Sequence, residues 1–170
     1  NFLYYNLQFK KIKKSKLSFD RFFYPLDGLN NWNNLYGKNG FIQYQFILPK
    51  EQSYKGMNEI LKFIASEGLF SFLAVLKLYG EENENYLSFP LKGYSLAIDF
   101  KLSKSLYDVL KKLDKIVLKY KGRIYLSKDV RINKEDFEMN YSKINQFRNI
   151  REKYQMNKKF QSLQSKRVKI

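Results

Sequence analysis

The sequence predicts an α+β fold, and three observations point there. Short apolar runs rich in aromatic and β-branched residues, the signature of strands, are interspersed with longer segments whose apolar residues recur at helical spacing. Gly and Pro punctuate several of the boundaries between them. The 170 residues are 44% hydrophobic and 18% aromatic, enough for one domain-sized core.

Residues 1–22 mix aromatics with lysines without a clean period and read as an irregular or partly helical lead-in. A turn-bearing segment with Pro25 and Gly28 follows, then an Asn-rich loop around Trp32. The first strand is Phe41–Leu48, ended by Pro49. Side chains alternate along a strand, so Ile42, Tyr44, Phe46 and Leu48 share one face while Gln43 and Gln45 share the other. Ser53 is expected to cap a helix carrying Met57, Ile60, Leu61 and Ile64, with Gly68 just past its end. A second strand, Phe70–Tyr79, is apolar on both faces except for Ser71 and Lys77, and it stops at Gly80 and the acidic loop 81–85.

The third strand, Tyr94–Phe100, is entered from Pro90 and Gly93. It puts Ser95, Ala97 and Asp99 on one face and Leu96 and Ile98 on the other. Ser103 or Ser105 then caps the clearest helix, whose Leu106, Val109, Leu110, Leu113, Ile116 and Val117 form one apolar stripe opposite a row of lysines. Past Gly122, residues Arg123–Ser127 make a fourth strand with Lys128 at its end. The order βαββαβ is that of the ferredoxin-like split unit, a four-stranded antiparallel sheet with both helices on one face. After Asp129 comes a polar helical pattern through Phe137, Tyr141, Ile144, Phe147 and Ile150, expected to pack on a neighbouring element, and then a basic tail. The expected divisions are a lead-in over 1–39, an α+β domain over 40–129 and a helical extension with its tail over 130–170.

The net charge of +16 invites an anionic partner, although Lys, Asn, Ile and Tyr are abundant throughout and a compositional bias accounts for most of it. Charge concentrates at both ends: Lys10, Lys11, Lys13, Lys14 and Lys16 near the start, and seven basic side chains against Glu152 alone in residues 151–170. Both ends suit anionic surfaces. The chain has no Cys, which excludes disulfides, thiolate catalysis and Cys-ligated zinc within it. It has no His either, which excludes a Ser-His-Asp triad and a flavin attached through His or Cys of this chain. No metal site is expected. No apolar run approaches the ~20 residues of a membrane-spanning helix, and no signal-peptide pattern is present. The sequence opens at Asn1 and runs directly into Phe2–Tyr5, so a processed chain or the C-terminal part of a longer one is expected.

An open sheet with helices on one face leaves its other face for a domain, a ligand or water. On that face Gln43 and Gln45 are adjacent amides, each able to donate and accept, which suits a polyhydroxylated ligand such as a sugar. Lys77 is a cation in an otherwise apolar strand, where burial without a partner is costly. Ser95 and Asp99 alternate beside them. Taken singly, each suits an ordinary surface or edge position; together with Lys128 they outline a polar site.

The phrases Gly40–Phe46, Ser71–Lys77, Leu87–Pro90, Ile98–Phe100 and Gly122–Asp129, in this order and spacing, resemble the C-terminal half of the decaprenylphosphoryl-β-D-ribose 2-oxidase family. These are FAD-dependent enzymes of the vanillyl-alcohol-oxidase superfamily. The resemblance extends weakly to Phe23–Leu26, Trp32, Asn140, Tyr141 and Arg148, and so covers most of residues 20–155. It implies a substrate-binding domain laid over FAD held mostly by an N-terminal domain absent from this sequence. It implies that Lys128 lies near flavin and substrate as the catalytic and cofactor-binding cation, since a fixed ammonium stabilises charge developing on the flavin edge. It further implies that Tyr125 lines the flavin, that Gln43, Gln45 and Lys77 hold a sugar and its phosphate, and that Phe23 and Ser95 belong to the substrate site. The phrase at Phe23 usually begins with Tyr in the family, so a phenol hydrogen bond is lost unless Tyr24 replaces it. Ser95 stands where Asn is frequent, and Ala97 where some members have Cys. These departures bear on the substrate more than on the reaction class.

The implied reaction converts a secondary alcohol of a polyprenyl-phosphate pentose to a ketone, in the service of cell-wall polysaccharide synthesis. A short-chain reductase partner then reduces the keto product. The implied location is cytoplasmic or peripheral at the inner membrane, with contact to anionic lipid. Two other classes compete. An RNA-recognition motif shares the sheet, the charge and the aromatics, but Tyr94–Phe100 lacks the Gly- and aromatic-rich pattern such a strand carries, and Asp99 repels phosphate, so no nucleic acid is expected. A non-catalytic assembly or regulatory module is the other.

Overall fold

The computed structural model describes residues 16–170, and the chain divides into two compact units after Asn34. Lys10, Lys11, Lys13, Lys14 and the opening Phe2–Tyr5 lie outside the described residues. In the first unit a short helix, α1 (Phe19–Phe23), starts where the Ser18 side chain accepts the Arg21 N–H at 3.5 Å. Phe19 and Phe23 then meet at 4.6 Å between ring centroids. Pro25 opens a 3₁₀ turn through Gly28, its fixed φ suited to that first position.

The second unit carries the sheet. Its elements are β1 (Phe41–Pro49), α2 (Lys50–Ser66), β2 (Ala74–Tyr79), β3 (Gly93–Lys101), α3 (Leu106–Lys119) and β4 (Arg123–Ile124). The strands lie in the order β2-β3-β1-β4 with every neighbouring pair antiparallel. β1 and β2 are therefore parallel with β3 between them, and β3 and β4 are parallel with β1 between them. The α+β expectation holds, with this split βαββαβ order.

Strand alternation sorts the two faces. Tyr44, Phe46, Leu48, Leu96, Ile98, Phe100 and Ile124 are buried against Ile60 and Ile64 of α2 and Leu106, Leu110, Leu113 and Val117 of α3. That core leaves no room for a side chain at two glycines. A Cβ on Gly93 falls 2.0 Å from the Leu48 carbonyl oxygen, and one on Gly122 falls 2.7 Å from that of Ile47.

Several boundaries differ from the sequence reading, each for a local reason. Helix α2 begins before Ser53, with Pro49 at its cap. The buried Ser53 hydroxyl donates to the carbonyls of Leu48 (2.9 Å) and Pro49 (2.8 Å) instead of capping. Ser105 precedes α3 without a side-chain capping bond. Strand β2 starts at Ala74 rather than Phe70, because the Ser71 hydroxyl donates to the Leu73 carbonyl (2.6 Å) and bends the chain there.

Strand β4 ends at Ile124, not Ser127. Tyr125 adds one more bond to β1, its N–H donating to the Gln45 carbonyl at 2.9 Å, before a 3₁₀ turn takes Leu126–Lys128. Lys128 therefore closes a turn rather than a strand. The outer edge of β4 is met by side chains: Asn140 Oδ1 accepts the Ile124 N–H (2.6 Å), and the Tyr141 hydroxyl donates to the Ile124 carbonyl (2.7 Å).

The polar helical pattern after Asp129 is two helices, α4 (Lys134–Asn140), capped by Asn133, and α5 (Ile144–Lys153). Phe137, Tyr141 and Ile144 join the main core, as their apolar spacing predicted. The basic tail is folded too, as α6 (Met156–Lys159) and α7 (Leu163–Val168). Ser162 and Ser165 form a reciprocal capping box at the start of α7, and Val168 is buried in the core.

Candidate active site

The register of β1 on β3 sets Gln43 opposite Asp99, Gln45 opposite Ala97 and Ile47 opposite Ser95, all on the face away from α2 and α3. The β2–β3 register then adds Val75 opposite Ala97 and Lys77 opposite Ser95. Gln43, Gln45, Lys77 and Ser95 thus share one face of the sheet, as strand periodicity predicted. Phe23 belongs to the first unit, in α1, where it is exposed and packs on Phe19 and Phe22.

The amides on this face are oriented by internal bonds. Gln43 Nε2 donates to Asp99 Oδ1 at 2.8 Å, and Gln45 Nε2 donates to Ser95 Oγ at 3.1 Å. Both bonds use the amide nitrogen; Gln43 is half-buried, whereas Gln45 at 5% exposure and Ser95 at 1% are buried beneath the surface of this face. Asp99, 1% exposed, also accepts the Tyr36 hydroxyl at 3.0 Å. Burial first, and the Asp99 carboxylate second, push the Tyr36 phenol up to about 12. Tyr36 stacks on Phe41 at 4.3 Å and meets Phe72 edge-on at 5.4 Å. Nothing in the local sequence around Tyr36 marked it, since its partner is 63 positions away.

At the β4 side, Lys128, Gln43, Gln45 and Tyr125 border a crevice of about 10 Å³, room for about one water, together with Tyr44 and Leu110 of the core. Lys128 is exposed, and no described residue forms an ion pair or hydrogen bond with its ammonium. Lys77 is likewise exposed and without such a partner among the described residues. Beneath the Lys128 turn lies a buried polar knot that the sequence reading missed. Arg131 grips Asp114 with both ends of its guanidinium, and the Tyr44 hydroxyl donates to Asp114 Oδ1 at 2.8 Å. Burial holds the Asp114 carboxyl above its usual range even against Arg131, and burial together with Asp114 raises the Tyr44 phenol. Asp114 lies on the apolar stripe of α3, and a lone carboxylate at a core position was the available signal.

Tyr125 stacks on Phe89 at 4.5 Å, and Phe89 meets Tyr79 at 6.0 Å. This aromatic row borders a second, wider cleft of about 750 Å³ with Tyr86, Ser88 and Tyr141. Ser88 Oγ, lining it, is buried with no hydrogen-bond partner among the described residues. This side of the sheet therefore offers two ammonium groups unpaired among the described residues, the half-buried Gln43 amide and an aromatic surface. A flavin presents a ring to stack and carbonyl oxygens that take negative charge, and this donor set fits such a group.

No family model matches the chain. It is 36% identical over 150 residues to the decaprenylphosphoryl-β-D-ribose oxidase of Mycolicibacterium smegmatis, a match covering 88% of this chain and 32% of that protein. It is 28% identical over 96 residues to an uncharacterized protein in the mprA 5' region of Streptomyces coelicolor, covering 56% of this chain and 26% of that one. The chain spans about a third of the length of the first and about a quarter of the second. The resemblance carried by the strand phrases holds: over most of its length this chain is similar to part of a decaprenylphosphoryl-β-D-ribose oxidase.

Proposed function

We propose that this chain is the substrate-binding part of an FAD-dependent oxidoreductase that oxidises a secondary alcohol of a polyprenyl-phosphate pentose to a ketone. The observation that carries the reading is the exposed, unpaired Lys128 ammonium at the end of the turn whose Tyr125, Leu126 and Ser127 line the cleft of about 750 Å³. Similarity to the M. smegmatis oxidase supplies the reaction class.

When bound, the flavin supplies the two-electron acceptor for the hydride of the carbinol carbon. The protein's own residues do the rest. The Gln43 carbonyl oxygen accepts a sugar hydroxyl, held in orientation by the Asp99 bond described above, while the buried Gln45–Ser95 bond braces the same face. Lys77, on the same face, takes the sugar phosphate. Lys128 places positive charge at the cofactor edge, where a fixed cation is most effective once water is excluded. Tyr125 offers its ring as a wall. Completion of the site by an FAD-binding domain, consumption of the ketone by a short-chain reductase and peripheral contact with anionic lipid belong to the same reading. Among the described residues no helix is long and apolar enough to cross a membrane.

In the full-length flavoprotein, Lys128→Ala is expected to lower substrate-driven flavin reduction by at least about 100-fold, the scale of losing one preorganised charge-stabilising donor. Flavin content and thermal unfolding should remain near wild type. Stopped-flow bleaching of the flavin band reads the rate, and an unchanged rate overturns the assignment.

A further inference from the structure

Lys128 projects from a turn of three residues, and such a turn does not by itself hold a side chain in place. Within the turn, the Lys128 N–H donates to the Tyr125 carbonyl at 3.1 Å and the Asp129 N–H to the Leu126 carbonyl at 3.1 Å. What fastens it comes from the C-terminal end of the chain. Gln164 Nε2, from α7, donates to the Leu126 carbonyl at 2.8 Å and reaches Asp129 Oδ2 at 3.3 Å. Arg167, one helical turn later, pairs with Asp129 Oδ2 through Nη2 and donates from Nε to the Ile132 carbonyl at 3.0 Å. The other Asp129 oxygen accepts the N–H groups of Arg131 (2.9 Å) and Ile132 (2.8 Å). The Asp129 side chain is 2% exposed, and these donors satisfy both of its oxygens.

Helix α7 is itself anchored. Its capping box fixes one end, Val168 is buried in the core, and Arg148 of α5 donates from Nε to the Lys169 carbonyl at 3.1 Å. Gln164 and Arg167 lie three residues apart, hence on one side of the helix, and both face the 126–132 segment.

We infer that Gln164 and Arg167 are positioning residues for Lys128: through Asp129 and the Leu126 carbonyl they hold the turn so that its ammonium sits at the reacting cofactor edge. The inference rests on the reading of Lys128 given above. Displacement by about an ångström is enough to cost on the order of 100-fold in rate, so loss of this clamp acts on the chemical step rather than on substrate affinity.

The experiment uses the full-length flavin-loaded protein with Arg167→Leu, Arg167→Lys, Gln164→Leu, Lys128→Ala and Lys166→Ala as a neighbouring α7 control. Arg167→Leu is expected to lower the limiting rate of flavin reduction roughly 10- to 100-fold, with substrate Kd changed less than about threefold if the clamp acts on positioning alone. Arg167→Lys should recover part of the rate, and Lys166→Ala should match wild type. Should Arg167→Leu fail to fold, Gln164→Leu decides: it removes one neutral donor, leaves the Arg167–Asp129 pair intact and should slow reduction several-fold at unchanged Kd. A wild-type limiting rate in the folded clamp variant, or equal losses in rate and affinity, overturns the inference while Lys128→Ala remains slow. A wild-type rate in Lys128→Ala overturns the reading of Lys128 itself.

Discussion

Asp99 and its two donors govern whether the polar face is ready for a ligand. A carboxylate at 1% exposure on a sheet is tolerable because Tyr36 and Gln43 both donate to it, and the Gln43 bond at the same time commits the amide nitrogen. Tyr36→Phe removes one donor and leaves Asp99 Oδ2 short of a partner, which is expected to cost about 1–2 kcal/mol in urea unfolding at neutral pH. The alkaline limb gives an independent check. The folded Tyr36 phenol is raised to about 12 from 10.0, so between those values the unfolded chain loses the proton first and stability falls as pH rises. The Phe variant should lose that part of the alkaline decline, while Tyr36 should be absent from the early phenolate absorbance near pH 10 in the folded wild type. The sequence made Gln43, Gln45, Ser95 and Asp99 legible at this scale because strand alternation alone assigns a face. It did not show Tyr36, whose contact spans 63 positions, nor that Gln43 and Gln45 already use their nitrogens within the protein.

Among the elements, α3 and the 126–132 segment are joined by the Arg131–Asp114–Tyr44 knot, in which Asp114 is 1% exposed and the Arg131 side chain 10%. Removing Arg131 strands a buried carboxylate, so Arg131→Met is expected to cost about 3–5 kcal/mol by denaturant titration. The sign with pH follows from burial. Asp114 is already raised, and without Arg131 it rises further, so the folded variant takes up a proton that the unfolded chain does not hold. The variant is therefore expected to recover stability relative to wild type as pH falls from neutral and to lose it again as pH rises. Apolar periodicity located every strand and helix of the βαββαβ unit, whereas the ends of elements were decided by side-chain hydroxyls and amides: Ser53 inside α2, Ser71 before β2, Asn140 beside β4. Those bonds are made to backbone groups whose position depends on the folded chain.

For the whole molecule, the charge of +16 is unevenly spent. Lys92, Lys111, Lys112, Lys115 and Lys119 each face a Glu or Asp. Lys153, Lys158, Lys159 and Lys169, in the folded C-terminal segment, form no ion pair among the described residues. Unpaired lysines near an anionic surface contribute about 1 kcal/mol each, within a Debye length of about 10 Å at 0.1 M salt. Co-sedimentation of the protein with phosphatidylglycerol vesicles is accordingly expected at 0.05 M salt and to be lost by about 0.5 M, with none on phosphatidylcholine. Retention at high salt would show that charge is not the cause.

The sequence by itself determined the α+β order, the two faces of the sheet, the polar row Gln43–Gln45–Ser95–Lys77 and the likeness to a decaprenylphosphoryl-ribose oxidase. Each of these follows from residue type at a fixed local period, or from ordered phrases along the chain. Only the tertiary structure decided that Lys128 closes a turn instead of a strand, that residues 151–170 fold back as helices, and that Gln164 and Arg167 reach Asp129. The last of these depends on side chains 35 to 38 positions from their partners in the chain, and no periodicity along the chain encodes such a meeting.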